Sequence, residues 1–256
     1  MALEVYHWEP GANSGELLIA LKEKGVDFVS HYVDLLAFEQ HAPRFLALNP
    51  RGEVPVLIHD GQVLTETTLI LEYLDAVLPG VGLVPETSAD RYRMRVWTKR
   101  ANESFAPALT LLGWHLRMAP KLRDRDLAPV RAGLARLPLD RQSVWRTALD
   151  DSYTEEQLTR AHQSLEVAAR RLDEALTASE WLAGAHYSLA DIAIFPLAHA
   201  LQWLLPDVAD LADRPRVVDW MRRMKERPAV RGALAMARRA RPEEMFAPGP
   251  ELGRWG

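Results

Sequence analysis

The sequence predicts an α/β domain followed by an all-α, helical-bundle domain. Strand-like alternation and a single Asp60-Gly61 turn between apolar runs fall before Leu64. A helix-patterned stretch separates the first two strand candidates, which makes them a parallel βαβ pair. From Asp90 onward the apolar residues recur only at three- and four-residue spacing.

In chain order, Leu3-Glu4-Val5-Tyr6-His7 alternates as a half-buried strand does. Glu9-Pro10-Gly11-Ala12-Asn13-Ser14 is rich in turn formers and helix caps. A helix follows through Leu17, Leu18 and Leu21, with Gly25 suited to its carboxyl cap. Phe28-Val29 to Tyr32-Val33 reads as the second strand, and Phe45-Leu46-Ala47-Leu48 as a short helix. Val54-Pro55 puts a ring without an N–H at the mouth of the third strand. Asp60-Gly61 then predicts a hairpin, because both residue types tolerate positive φ. Glu66 and Thr67 open the next helix, where backbone N–H groups and the helix dipole favour anions. Turn formers cluster between Pro79 and Ser88. The expected division is therefore a domain of residues 1–80, a linker of 81–89 and a helical domain of 90–256.

Within the helical part, Met94, Trp97, Ala101, Phe105, Leu109 and Leu112 mark a long helix that Pro107 is expected to kink. Residues 118–152 are charged and broken by Pro120, Pro129 and Pro138, so short helices and loops anchored by Trp145 are expected. Thr154 opens another helix. Ser188 and Asp191 are spaced as a near capping box, with Tyr187 and Ile192 as its hydrophobic staple. The Arg-rich stretch from Arg214 to Arg241 interleaves Val217, Trp220, Met221, Met224, Val230 and Leu234, which predicts two amphipathic helices with a solvated basic face. The tail from Phe246 to Trp255 shows no pattern.

The 256 residues carry a net charge of −4, which argues against nucleic-acid or anionic-membrane binding. The first residues lack the basic region and long apolar run of a signal peptide. No stretch approaches the ~18 apolar residues of a membrane span. A cytoplasmic protein is expected. Cysteine is absent. A disulfide framework, a thiolate metal site and a cysteine nucleophile are therefore excluded. Any thiol chemistry must use a sulfur that arrives with a ligand.

The order strand–helix–strand, Asn49-Pro50-Arg51-Gly52-Glu53-Val54-Pro55, hairpin and Glu66-Thr67 at a helix start resembles the glutathione-binding domain of the glutathione transferases. Pro10-Gly11-Ala12-Asn13-Ser14, Phe38-Glu39-Gln40-His41, Asn49-Pro50-Arg51-Gly52 and Met94-Arg95-Val96-Trp97-Thr98-Lys99 resemble the bacterial glutathione-dependent β-aryl etherases of lignin degradation, the LigF-like branch. The wider resemblance covers nearly the whole chain, and the etherase one is strongest over the first half. It implies a thioredoxin-like amino-terminal domain, glutathione as co-substrate, no metal, and a small aromatic ether as second substrate. A homodimer is implied too, paired through the fourth strand and third helix.

The resemblance also assigns candidate roles. A free thiol has a pKa of ~8.5, so a few per cent is thiolate at pH 7. One hydroxyl donor and a helix end can supply the ~1.4 kcal/mol that lowers it by a unit. Ser14 is the leading candidate for that donor, with Asn13 sharing the task; a plain helix cap is the alternative. Tyr6 is the rival, as the strand-one hydroxyl of tyrosine-type transferases. Val54 would present its backbone to the cysteinyl moiety, with Val54-Pro55 in cis. Glu66 and Thr67 would hold the γ-glutamyl amine and carboxylate, His41 the glycine carboxylate, and Arg51 would assist. Trp8, Trp97, Trp114 and His115 are candidates to line the aromatic substrate's site. The expected reaction displaces phenolate from the β-carbon of an aromatic ketone. Alternatives are a general detoxifying transferase or a non-catalytic glutathione-binding module.

Overall fold

In the computed structural model, residues 2–11, 13–206 and 213–239 are described. Asp60 and Gly61 both take positive φ, 47° and 85°. Their turn closes β3 (Val56–His59) onto β4 (Gln62–Leu64) as an antiparallel hairpin. β1 (Leu3–His7) pairs in parallel with β2 (Val29–Tyr32) and antiparallel with β3, giving the order β2-β1-β3-β4. The alternation along β1 sends Leu3 and Val5 to one face of the sheet, with Leu57. There they meet α1 (Asn13–Glu23) and α3 (Thr67–Val77) through Leu17, Leu18, Ile70, Leu71 and Leu74. Tyr6 and Val56 go to the other face, with Phe45 of the short α2 (Pro43–Leu46). The expected βαβ unit, hairpin and closing helix are all present.

The chain crosses to the helical part between Val77 and Ser88. A long helical run follows: α4 (Ser88–Arg100), a π-helical turn over Ala101–Phe105, α5 (Ala106–Gly113), a second π-helical turn over Trp114–Met118, and α6 (Ala119–Leu122). Each π turn is followed at once by Ala-Pro, Ala106-Pro107 and Ala119-Pro120. A proline ring in a regular helix clashes with the carbonyl four residues back and removes an N–H bond. The wider turn inserted before each proline re-registers that ladder. A π turn thus stands immediately before Pro107, where the kink is expected.

α7 (Ala128–Gly133) and α8 (Leu139–Leu149) fill the Pro-broken stretch, with Trp145 of α8 buried against Trp114. α9 (Glu155–Ala178) opens with a capping box between Thr154 and Gln157. α10 (Leu189–Leu204) runs through the middle of the core. It carries the Ser188–Asp191 box. α11 (Pro215–Glu226) and α12 (Pro228–Leu234) are the two amphipathic helices expected. Their basic face is only partly solvated, however. Arg222 and Arg223 pair with neighbouring carboxylates at the surface, whereas Arg227 turns inward to Glu23 of α1 at 2.6 Å and lies over the Tyr187 ring. Arg241 and the tail lie outside the described residues.

Asp191 does more than cap. Its fully buried carboxylate accepts the N–H groups of Leu182 and Ser188 and the indole N–H of Trp220, at 2.9–3.1 Å. Burial pushes its pKa up to about 6 against the pull of those donors. Asp191→Ala would strand three buried donors at roughly 1–3 kcal/mol each. A destabilisation of about 3 kcal/mol or more is expected in denaturant unfolding; a midpoint near wild type would refute the keystone role.

Candidate active site

The register of the sheet decides what can meet. Tyr6 faces Val56 across β1 and β3, and Leu57 faces Leu64 across β3 and β4. The end of β1, the start of β3 and the end of β4 therefore lie at one edge. β2, parallel to β1, also ends there. That edge gathers residues 8–11, Asn13 and Ser14, the Val54-Pro55 corner, Glu66-Thr67 and the segment from Val33 to His41. Ser14 and Asn13, Val54, Pro55, Glu66, Thr67 and His41 are brought to a common end of the molecule. The amino-terminal ends of α1 and α3 point there too, so their positive dipole ends face the same space.

Ser14 lies in the first turn of α1, and its Oγ accepts the backbone N–H of Trp8 at 3.0 Å. A hydroxyl has one proton to give, and that contact does not use it. Accepting an N–H also strengthens a hydroxyl as donor. The loop can approach so closely because residue 15 is glycine: a Cβ there would stand 2.1 Å from the Pro10 carbonyl oxygen. Asn13 is buried beside Ser14. Tyr6 is on the far face of the sheet, stacked on His31 at 4.4 Å between ring centres.

The Val54-Pro55 bond is cis. Asn49 braces this corner by donating its amide to the Glu53 carbonyl at 2.9 Å. Glu66 takes φ 70°, a left-handed conformation that costs a non-glycine residue of order 1–3 kcal/mol. Its side chain does not cap α3. Thr67 is buried in the first helical turn, and its neighbour Thr68 receives the amide of Asn102 from the first π turn.

His41 is 5% exposed, and neither ring nitrogen has a hydrogen-bond partner. Burial, and then the positive charge of Arg141, holds its pKa down to about 4. The adjacent Gln40 is fully buried with both amide atoms unpartnered. Trp145 packs edge-on to His41 at 4.8 Å. Arg51 is engaged elsewhere: it reaches Glu53 at 3.3 Å and Asp140 of α8 at 3.2 Å. Glu53 also pairs with the buried Arg141 of α8 at 3.2 Å. Helix α8 thus holds the 49–53 loop, a contact that no motif in 118–152 foretold.

The four residues expected to line an aromatic site are not gathered together. Trp8 lies under Ser14's loop with Val33, Phe45 and Val54. Trp97 sits in the main core and borders a cavity of about 360 Å³ between α4 and α9, with Arg100 stacked on it. Trp114 is in a third cluster, donating its indole N–H to the Ala148 carbonyl at 2.8 Å. His115 pairs with Asp151 at 2.7 Å. Trp97 and Trp114 sit on buried stripes of the long helical run but in different clusters. Trp8 follows β1 in a loop, and the His115 ring is partly exposed. Among the described residues no group of three or more His, Asp or Glu could hold a metal ion. No helix among them is long and apolar enough to cross a membrane.

Residues 1–76 match the family "Glutathione S-transferase, N-terminal domain", and residues 127–228 match "Glutathione S-transferase, C-terminal domain". The chain belongs to the glutathione S-transferase family. Protein LigF of a Sphingobium species is 36% identical over 93% of this chain and 95% of its own length. The crystal structure of the β-etherase LigF superposes with a TM-score of 0.84 at 35% identity, covering 92% of this chain and 99% of that one. Glutathione S-transferase F14 of Arabidopsis thaliana is 31% identical over 83% of this chain and 75% of its own. A Sulfitobacter transferase homologue shares the fold at a TM-score of 0.67 and 24% identity, with bound glutathione in its crystal; it covers 90% of this chain and 96% of that one. Ser14, in the first turn of α1, stands at the edge of the sheet where the amino-terminal ends of α1 and α3 also lie.

His41 supplies a pH test. Between its ordinary value of 6.5 and about 4 the unfolded chain takes up a proton that the folded chain refuses. Its contribution therefore makes the fold less stable as pH falls through that window. Imidazole NMR should show His41 neutral until about pH 4; titration near 6.5 would show that the ring is not buried as described.

Proposed function

We propose that the protein is a glutathione-dependent β-etherase that cleaves β-aryl ether bonds in lignin-derived aromatic ketones. The observation that carries this is the likeness to LigF along almost the whole chain in sequence and fold, in a polypeptide without cysteine. Glutathione brings the sulfur. The Ser14 hydroxyl, with Asn13, donates to the thiolate and keeps it ionised, helped by the positive end of α1. The Val54 backbone pairs with the cysteinyl moiety, and Glu66 and Thr67 hold the γ-glutamyl end. His41 is assigned to the glycine carboxylate, and what supports this is that neither of its ring nitrogens has a hydrogen-bond partner within the protein.

The sulfur then attacks the β-carbon; a C–S bond forms as the C–O bond breaks. The electron pair leaves on the phenolate, and the proton given up by the thiol balances it as free phenol. A phenolate, with a pKa near 10, departs without a strong general acid, so positioning and thiolate supply dominate. The ketone beside the reacting carbon activates it. We place this chemistry between a glutathione-binding domain of residues 1–80 and a helical domain of 90–256, joined by 81–89. A cytoplasmic homodimer fits the exposed Val63 on β4 and Leu69 on α3, 40% and 66% accessible.

Incubation with glutathione and a guaiacyl β-aryl ether ketone should release phenol and form the glutathione thioether. No release, with turnover of chlorodinitrobenzene instead, would make the protein a general transferase. Ser14→Ala should lower kcat about 10- to 100-fold, with a deeper loss on adding Asn13→Ala. Full turnover by the double variant would remove both residues from the mechanism.

A further inference from the structure

The last described residues fold back over the loop that carries the site. After α12, residues 235–239 run to the segment between β1 and α1, where they meet Glu9. Glu9 is 1% exposed. Its carboxylate accepts the Tyr32 hydroxyl at 2.5 Å and the backbone N–H of Arg238 at 3.1 Å. The Arg238 guanidinium lies over the Tyr32 ring at 4.3 Å. Arg239 pairs with Asp34 at 3.0 Å and lies over the Trp8 ring at 5.2 Å. A buried carboxylate is costly unless its oxygens are met, and here the donors come from the end of β2 and from the far end of the chain. One acidic side chain thus ties three segments together.

The residue before Glu9 is the one that touches Ser14. Trp8 gives its N–H to Ser14 Oγ, so the direction of that N–H sets which lone pair of the hydroxyl is taken. On its other side the loop is already fixed, with the Pro10 carbonyl pressed against Gly15. We propose that Glu9 is a positioning residue for the thiolate donor. By anchoring residues 8 and 9 to Tyr32 and to the Arg238 N–H, it holds the Trp8-to-Ser14 hydrogen bond and aims the Ser14 proton at the sulfur. This rests on the reading of Ser14 as that donor. With the anchor gone, the Trp8 N–H drifts and Ser14 is released to the other staggered χ1 wells. Hydrogen bonds weaken steeply with misalignment, so the sulfur loses donor strength rather than its binding place.

The test reads the pKa of enzyme-bound glutathione from thiolate absorbance against pH, together with kcat and the KM for glutathione. Glu9→Ala removes the anchor. Arg238→Pro removes the donor N–H of the strap together with the side chain. Arg238→Ala deletes the side chain but keeps that N–H, so the difference between the two isolates the N–H. Glu9→Ala and Arg238→Pro should each raise the bound-thiol pKa by about half a unit or more and lower kcat about three- to tenfold, with KM for glutathione within about twofold. Glu9→Gln retains one carbonyl acceptor and should fall between, while Arg238→Ala should stay near wild type. If Ser14→Ala shifts the bound-thiol pKa but folded Glu9→Ala and Arg238→Pro do not, the positioning role is overturned and the Ser14 reading stands. If Ser14→Ala leaves that pKa unchanged, the Ser14 reading falls, and this role with it. Should Glu9→Ala fail to fold, the Arg238→Pro and Arg238→Ala pair decides alone.

Discussion

The antiparallel pairing of β1 with β3 is the constraint from which the site follows. Placing Tyr6 opposite Val56 brings the loop after β1 beside the corner before β3. A slip of one residue would move every side chain of β3 to the opposite face and take Leu57 out of the core. The buried apolar face therefore fixes the register, and the register fixes which loops meet. Function here depends on a packing preference that none of the site residues supplies.

Onto that edge the helical part of the chain reaches back twice. Helix α8 grips the 49–53 loop through Arg141 to Glu53 and Asp140 to Arg51. The segment after α12 grips the 8–9 loop through the Arg238 N–H and Arg239. The Arg141–Glu53 pair is largely withdrawn from water, where breaking one partner is far more damaging than the pair is stabilising. Such contacts specify geometry more than they add stability. The loops of the candidate site are thus held by two separate segments of the helical part, which favours pre-organised binding.

The two π turns follow a similar economy. Each precedes an Ala-Pro pair and lets one long helical run pass a residue that would otherwise break it. The first also points Asn102 at Thr68, in the first turn of α3. A local accommodation of proline thereby connects the long run to the helix end that faces the site.

Local chemistry in the sequence determined the strands, the Asp60-Gly61 hairpin, the helix starts at Ser14 and Thr67, the Ser188–Asp191 cap and the family resemblance. Each depends on residues within a few positions of one another, where φ preference, periodicity and capping act. The 10–14 and 49–55 motifs carry the likeness to glutathione-dependent relatives within short stretches of sequence. What only the tertiary structure decided was longer in reach. It put Trp97, Trp114 and Trp8 in three different clusters, gave Arg51 two carboxylates, turned Arg227, Arg238 and Arg239 back onto the first domain, and supplied the Trp8 N–H to Ser14. Those pairings join residues up to 229 positions apart, as in Arg238 with Glu9. An arginine bound for solvent and one bound for a buried carboxylate carry the same local pattern; only the packed chain tells them apart.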